Sequence, residues 1–119
     1  IFKGWVKNTI PYLKKSKIFV LSSIYEGLGN VLIDAINYNV PCVSTNCPSG
    51  PNEILLNGRG GYLTKTKSPQ LLAQKMLYSI NNYSESLIKN AKAKKKLDRF
   101  LIEKNSKIYF NYLDSFSKK

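Results

Sequence analysis

No histidine occurs in the 119 residues, and methionine and tryptophan are present once each. Without imidazole the chain lacks both the side chain that most readily exchanges protons near neutrality and the commonest metal ligand. The two thiols, Cys42 and Cys47, match no four-ligand zinc spacing, so no metal site is expected. An extended stretch between them holds their Cα atoms too far apart for a disulfide, and both are expected to be reduced and partly buried. Acid is scarce as well. Seven Asp and Glu face nineteen Lys and Arg, a net charge of +12. Such a balance attracts anionic surfaces in general, whether lipid headgroups, nucleic acid or a phosphorylated substrate, without choosing among them. No window approaches the roughly 20 consecutive apolar residues that cross a bilayer, and the start lacks the basic-then-apolar layout of a secretory signal. A cytoplasmic domain is expected, with peripheral contact at the inner membrane face as the variant that the charge allows. Because residue 1 is Ile and not Met, the chain is expected to be a processed, excised or incomplete product.

What remains is an ordinary globular composition, 43% hydrophobic, of a length that fits one core. Residues 17–22 form a short apolar run rich in β-branched and aromatic residues, as in a strand buried on both faces. Residues 1–5 and 40–45 read as two more strands, with Pro41 near the start of the latter, where a strand tolerates it. Between the runs at 17–22 and 40–45, the apolar residues Val31, Leu32, Ala35 and Ile36 mark one face of a helix over 30–38. The implied βαβ unit belongs to an α/β fold, a doubly wound sheet of Rossmann-like type, which binds ligands beyond the carboxyl ends of its strands. Gly58, Gly60 and Gly61 then lead into a short strand at 62–64. Ser68 as N-cap and Pro69 at the first position start a helix to about residue 81, with Leu72, Met76 and Ile80 inward and Leu71 and Ala73 beside them.

Residues 1–83 are accordingly read as the core and 84–119 as a basic helical tail. From Glu85 onward the tail holds ten basic and four acidic residues, a net of +6. Its aromatics, Phe100, Tyr109, Phe110, Tyr112 and Phe116, fall among Leu and Ile at helical spacing, which favours core or inter-domain packing over base stacking.

Chemistry concentrates in Ser22-Ser23-Ile24-Tyr25-Glu26-Gly27-Leu28-Gly29-Asn30-Val31-Leu32-Ile33-Asp34-Ala35. A buried strand ends at the serines, two glycines let backbone approach a ligand, and a helix starts near Asn30 with its unpaired N–H groups facing that loop. A helix N-terminus carries about half a positive charge and suits a diphosphate without any lysine in the loop. Glu26 and Asp34 bracket the loop. Ionised carboxylates accept pairs of hydrogen bonds from vicinal hydroxyls, so the two suit sugar or ribose; equally, Glu26 could cap the helix and Asp34 be a surface acid.

The run from Tyr25 to Ala35 resembles the Glu-x7-Glu signature of the group 1 (family 4) GT-B glycosyltransferases. That signature is usually followed, as here, by a Pro-Val-like strand, Pro41-Cys42-Val43-Ser44-Thr45, and a Pro-Ser-Gly-Pro-x-Glu loop, Pro48-Ser49-Gly50-Pro51-Asn52-Glu53. The resemblance covers roughly residues 2–80. It implies the C-terminal, nucleotide-sugar-binding domain of a retaining hexosyltransferase of cell-surface polysaccharide or lipid-linked glycan synthesis, with no cofactor and no metal. By position, the resemblance makes Glu26 the catalytic residue that contacts the transferred sugar. Gly27, Leu28, Gly29, Asn30 and Val31 meet sugar and phosphate, and Asp34 binds ribose hydroxyls. Three departures stand out. Asp34 is one methylene shorter than the usual Glu, Lys17 replaces a more usual acid, and the family's basic diphosphate-binding residues and N-terminal acceptor domain would lie upstream of Ile1. The chain alone is therefore expected not to catalyse transfer, since no acceptor is positioned. Two other readings are a basic nucleic-acid-binding module, for which charge is the sole support, and an inactive truncated relic; no nucleic-acid partner is expected on the glycosyltransferase reading.

Overall fold

The computed structural model describes residues 1–117. Its elements run α1 (Ile10–Lys15), β1 (Phe19–Leu21), α2 (Asn30–Asn37), β2 (Cys42–Thr45), α3 (Pro51–Ile54), β3 (Tyr62–Thr64), α4 (Pro69–Asn81), α5 (Tyr83–Lys94), a 3-10 turn (Leu97–Phe100) and α6 (Ile102–Ser117). The strands form one parallel sheet in the order β1-β2-β3, with Phe19 opposite Cys42, Leu21 opposite Ser44 and Ser44 opposite Leu63.

Alternation along a strand sends this register to two faces. Phe19, Leu21, Cys42 and Leu63 join Leu32, Ala35 and Ile36 of α2 and Ile54 and Leu55 in the main apolar cluster. On the opposite face α4 packs over β2 and β3, where the Tyr62 ring meets Tyr78 edge-on at 5.7 Å. With helices on both sides, all four residues of β2 are buried, which is why that segment reads as an unbroken apolar and small-residue run and not as an alternation.

Two sequence expectations need correction. Residues 1–5 are not a strand: Ile1, Phe2 and Trp5 lie exposed, Gly4 turns the chain at φ +61°, and β1 pairs with β2 alone, so no ladder partner exists for an extended segment there. The division at 83/84 also misplaces the end of the core. α5 buries Ser86, Asn90 and Ala93, and Ala93 belongs to the apolar cluster. The Ser86 hydroxyl sits 3.1 Å from Tyr62 Oη and donates to the Ser79 carbonyl at 2.9 Å, tying α5 to β3 and α4. Only α6 stands off the body. None of its residues is buried, and Tyr109, Phe110, Tyr112 and Phe116 are 57–70% exposed, so these aromatics do not pack on this chain's own core. Phe100 alone of the tail aromatics packs against the cluster.

Ser68 and Pro69 do begin α4, although the Ser68 hydroxyl makes no capping hydrogen bond. Leu72, Met76 and Ile80 are half-buried as expected, whereas Leu71 and Ala73 face solvent.

Both cysteines are free and fully buried, and burial pushes the Cys42 thiol far above its ordinary pKa. Thiols held out of solvent do not react. Native protein should take up no iodoacetamide over hours at pH 8, and both thiols should be modified once denaturant is added; mass spectrometry counts the adducts.

Candidate functional site

Because the strands are parallel, Leu21, Thr45 and Thr64 end on one edge of the sheet, and the loops that leave them build the candidate site. Three hydrogen bonds fix the first loop. The Thr45 hydroxyl donates to the Ser23 carbonyl, with a longer 3.4 Å contact to the Leu21 carbonyl, and so stitches the end of β2 to the exit of β1. The Ser23 hydroxyl in turn donates to Glu26 Oε1 at 2.6 Å. Glu26 is thereby held half-buried with one carboxylate oxygen engaged and acceptor capacity left over. It does not cap α2, which has no side-chain capping bond at all.

Two glycines dictate the rest. Gly29, the N-cap of α2, has φ +81°, a left-handed conformation costly to any residue with a Cβ. Gly50 lies directly against the first loop: a Cβ there would stand 2.0 Å from the Leu28 carbonyl oxygen, and its φ is +78°. The Leu28 and Gly50 backbones therefore touch, and the loops after β1 and β2 form one surface. Gly27 has open space around it instead.

The N-terminus of α2 emerges from this surface. Gly29 offers no capping side chain, and no acidic residue lies in the first turn. The leading N–H groups of Asn30 and Val31, both exposed, point at the loop with the positive end of the helix dipole behind them. Asn30 and Asp34 share an exposed face one turn apart. The Asp34 carboxylate takes no hydrogen bond or ion pair among the described residues and is not joined to the Glu26 network. Leu28 is half-buried against the apolar cluster and anchors the loop.

Sequence reasoning missed four contributors on this edge. Thr45 and Ser23 act as positioners of Glu26, visible only once β1 and β2 are adjacent. Lys67, at φ +56°, lines a small cavity of about 170 Å³ with Ser22, Thr45 and Ser68. Thr64, whose buried hydroxyl has no partner among the described residues, lines a second cavity of about 520 Å³ with Asn46, Lys65 and Thr66. Neither cavity is lined by Glu26 or Asp34.

With this geometry in view, similarity to known proteins becomes informative. Residues 1–82 match the family model described as glycosyl transferases group 1. Over 84 aligned residues, 60% of this chain and 21% of the relative, the chain is 42% identical to an uncharacterized glycosyltransferase of Methanocaldococcus jannaschii. It is 30% identical to the Campylobacter jejuni alpha-1,4-N-acetyl-D-galactosaminyltransferase that acts on a GalNAc-containing diNAcBac-PP-undecaprenol, across 76% of this chain and 26% of that protein. Among solved structures, TarM superposes with a TM-score of 0.80 at 25% identity, covering 92% of this chain and 22% of the other. The pneumococcal O-GlcNAc transferase GtfA in complex with UDP and GlcNAc shares the fold, with a TM-score of 0.65 at 19% identity over 91% of this chain and 22% of that one. The chain thus spans about a fifth to a quarter of the length of these relatives and structures.

The glycines separate stability from ligand contact. Gly50→Ala forces a Cβ onto the Leu28 carbonyl and should destabilise by about 3 kcal/mol or more, whereas Gly27→Ala should stay within about 0.5 kcal/mol of the parent. Thermal unfolding followed by circular dichroism measures both.

Proposed function

Because the chain belongs to the group 1 glycosyl transferases, we propose that it forms the donor side of a retaining hexosyltransferase and binds a nucleotide-sugar at the edge built by residues 22–34. The observation that carries the proposal is the pairing of a fixed carboxylate with an uncapped helix N-terminus. Glu26 is locked by Ser23 and Thr45 beside the leading N–H groups of α2.

Each part has a chemical task. The carboxylate of Glu26 accepts hydroxyls of the transferred hexose and stabilises positive charge that builds at its ring as the leaving diphosphate departs. The backbone of residues 27–30 approaches the sugar and the diphosphate closely, as small or exposed positions permit. The α2 N-terminus, with Lys65 and Lys67 at the same strand ends, offsets the diphosphate charge, so the assignment needs no metal. Asp34 takes the ribose hydroxyls. Its exposure keeps it available, and its shorter reach moves the ribose toward the helix.

The acceptor is proposed to be a growing cell-surface glycan or a lipid-linked glycan. Support comes from the names of relatives, which include the undecaprenol-linked glycan transferase above, lipopolysaccharide galactosyltransferases and an amylovoran glycosyltransferase. Such acceptors place the reaction at the cytoplasmic face of a membrane. There the exposed aromatic face of α6 and the basic residues of α5 provide an apolar and a cationic contact with anionic lipid. No helix among the described residues is long and apolar enough to cross a membrane. Positioning of the acceptor is assigned to the remainder of a protein of the relatives' length, so the 119 residues are expected to bind donor without transferring it.

Calorimetry with UDP, GDP and their hexose conjugates tests the assignment. The parent chain should prefer one nucleotide. Glu26→Gln should weaken the sugar conjugate by about tenfold while sparing the free nucleoside diphosphate, and Asp34→Ala should weaken both by about tenfold, the loss of one charge-assisted hydrogen bond each. Affinities unchanged in both variants would refute the site, and turnover by the 119 residues alone would refute the division of labour.

A further inference from the structure

The basic residues of α5 and the 3-10 turn divide into two groups. Some are spent on the fold. The Lys89 ammonium donates to the Gly58 carbonyl at 2.9 Å, Lys94 to the Asn37 carbonyl at 2.8 Å and to Asn39 Oδ1 at 2.9 Å, and Arg99 Nη2 to the Glu53 carbonyl at 2.6 Å. The Lys92 and Lys95 side chains are exposed and make no hydrogen bond or ion pair among the described residues.

Those free lysines are not scattered. With Leu56, Arg59, Lys96 and Arg99 they line a single cavity of about 570 Å³ that has five cationic side chains and no carboxylate in its wall. The fold forces this concentration. Gly60 lies so close to α5 that a Cβ there would stand 2.7 Å from Ala93 Cβ, which draws the last turns of α5 onto the loop carrying Arg59. Both arginines are pre-set. Arg59 Nε donates to the Leu56 carbonyl at 3.1 Å, and the Arg99 guanidinium, besides its bond to Glu53, stacks on the Phe100 ring at 4.6 Å. Arg99 Nε is buried with no partner among the described residues. The acid in the same turn, Asp98, lies outside the cavity wall and pairs with Lys104 at 2.7 Å. Gathering five like charges with no carboxylate in the wall favours an anion in the space between them.

We propose that the cavity walled by Arg59, Lys92, Lys95, Lys96 and Arg99 binds a phosphoryl or diphosphoryl group. It lies on the edge where the strands begin, since Arg59 stands three residues before β3, and is therefore distinct from the strand-end edge that carries Glu26. Two anchored guanidiniums supply directional N–H donors, and three mobile ammonium groups adapt around the anion. The group is either part of a soluble phosphate compound or the headgroup of an anionic lipid, and the two sources share this chemistry. The site does not depend on donor binding at Glu26.

The test titrates inorganic pyrophosphate into the nitrogen-15-labelled chain at about 0.15 M salt, where charges more than about 8 Å apart are largely screened. Amide shifts are expected at 56–60 and 92–99. Lys92→Gln with Lys95→Gln should weaken binding by about tenfold or more, with Lys92→Glu and Lys95→Glu stronger still, while Lys7→Gln with Lys15→Gln leaves it unchanged. The Gln pair guards against a stability loss from reversing charge at the end of α5. In a parallel arm the same variants are co-sedimented with phosphatidylcholine vesicles with and without phosphatidylglycerol. Site-dependent vesicle binding identifies a lipid headgroup, and pyrophosphate binding without it identifies a soluble phosphate. Shifts confined to residues 22–34, equal loss in the Lys7 and Lys15 control, or no binding of either probe would overturn the proposal.

Discussion

The contact on which the architecture turns is backbone against backbone, Gly50 on Leu28. Two loops that leave neighbouring parallel strands would ordinarily splay apart and be free to move independently. Here they are pressed together because one position has no side chain and a left-handed conformation that a side chain would resist. The consequences run both ways along the sequence. Toward the N-terminus, Leu28 is seated against the apolar cluster and the chain enters α2 through Gly29 without a capping side chain. Toward the C-terminus, Pro51 and the short α3 start at once and carry Ile54 and Leu55 into the same cluster. The candidate surface and the core are thus one construction, and the N-terminus of α2 is held by the same burial that stabilises the fold.

Much of this was legible in order along the chain. β1, β2, β3, α2 and α4 fall where apolar runs and helical spacing place them, because the periodicity of a covered parallel sheet and its crossover helix is a local property of the residues. The extended reading of residues 1–5 failed for the opposite reason. Strand formation requires a neighbour, and the composition of Ile1, Phe2 and Trp5 carries no information about whether one is present. α5 escaped the core for a similar reason: its buried face is Ser86, Asn90 and Ala93, small or polar residues whose burial depends on hydrogen bonds to Tyr62, Ser79 and the Ile36 carbonyl.

At the site, Glu26 and Gly29 could be singled out from the loop alone. Thr45 could not, since it lies 22 residues from Ser23 and its role exists only when β1 and β2 are side by side. The basic tail shows the same limit. A count of charges treats Lys89, Lys92, Lys94 and Lys95 alike, yet two of them hold backbone carbonyls at the ends of other elements and two do not. Spacing along α5 decides which is which only after α5 has been laid against the turns at 37–39 and 56–60.

The stitch from Thr45 into the first loop has a kinetic meaning. Amide protection should grade across this sheet, because β2 is covered on both faces and paired on both edges while β1 is half-exposed and paired on one. Local opening should therefore start at the rim and reach β2 last. By tying Ser23, and through it Glu26, to the last residue of β2, the molecule makes the loop of the candidate site share the fate of the strand expected to open last, so the carboxylate should stay set through fluctuations that loosen the strand from which the loop departs.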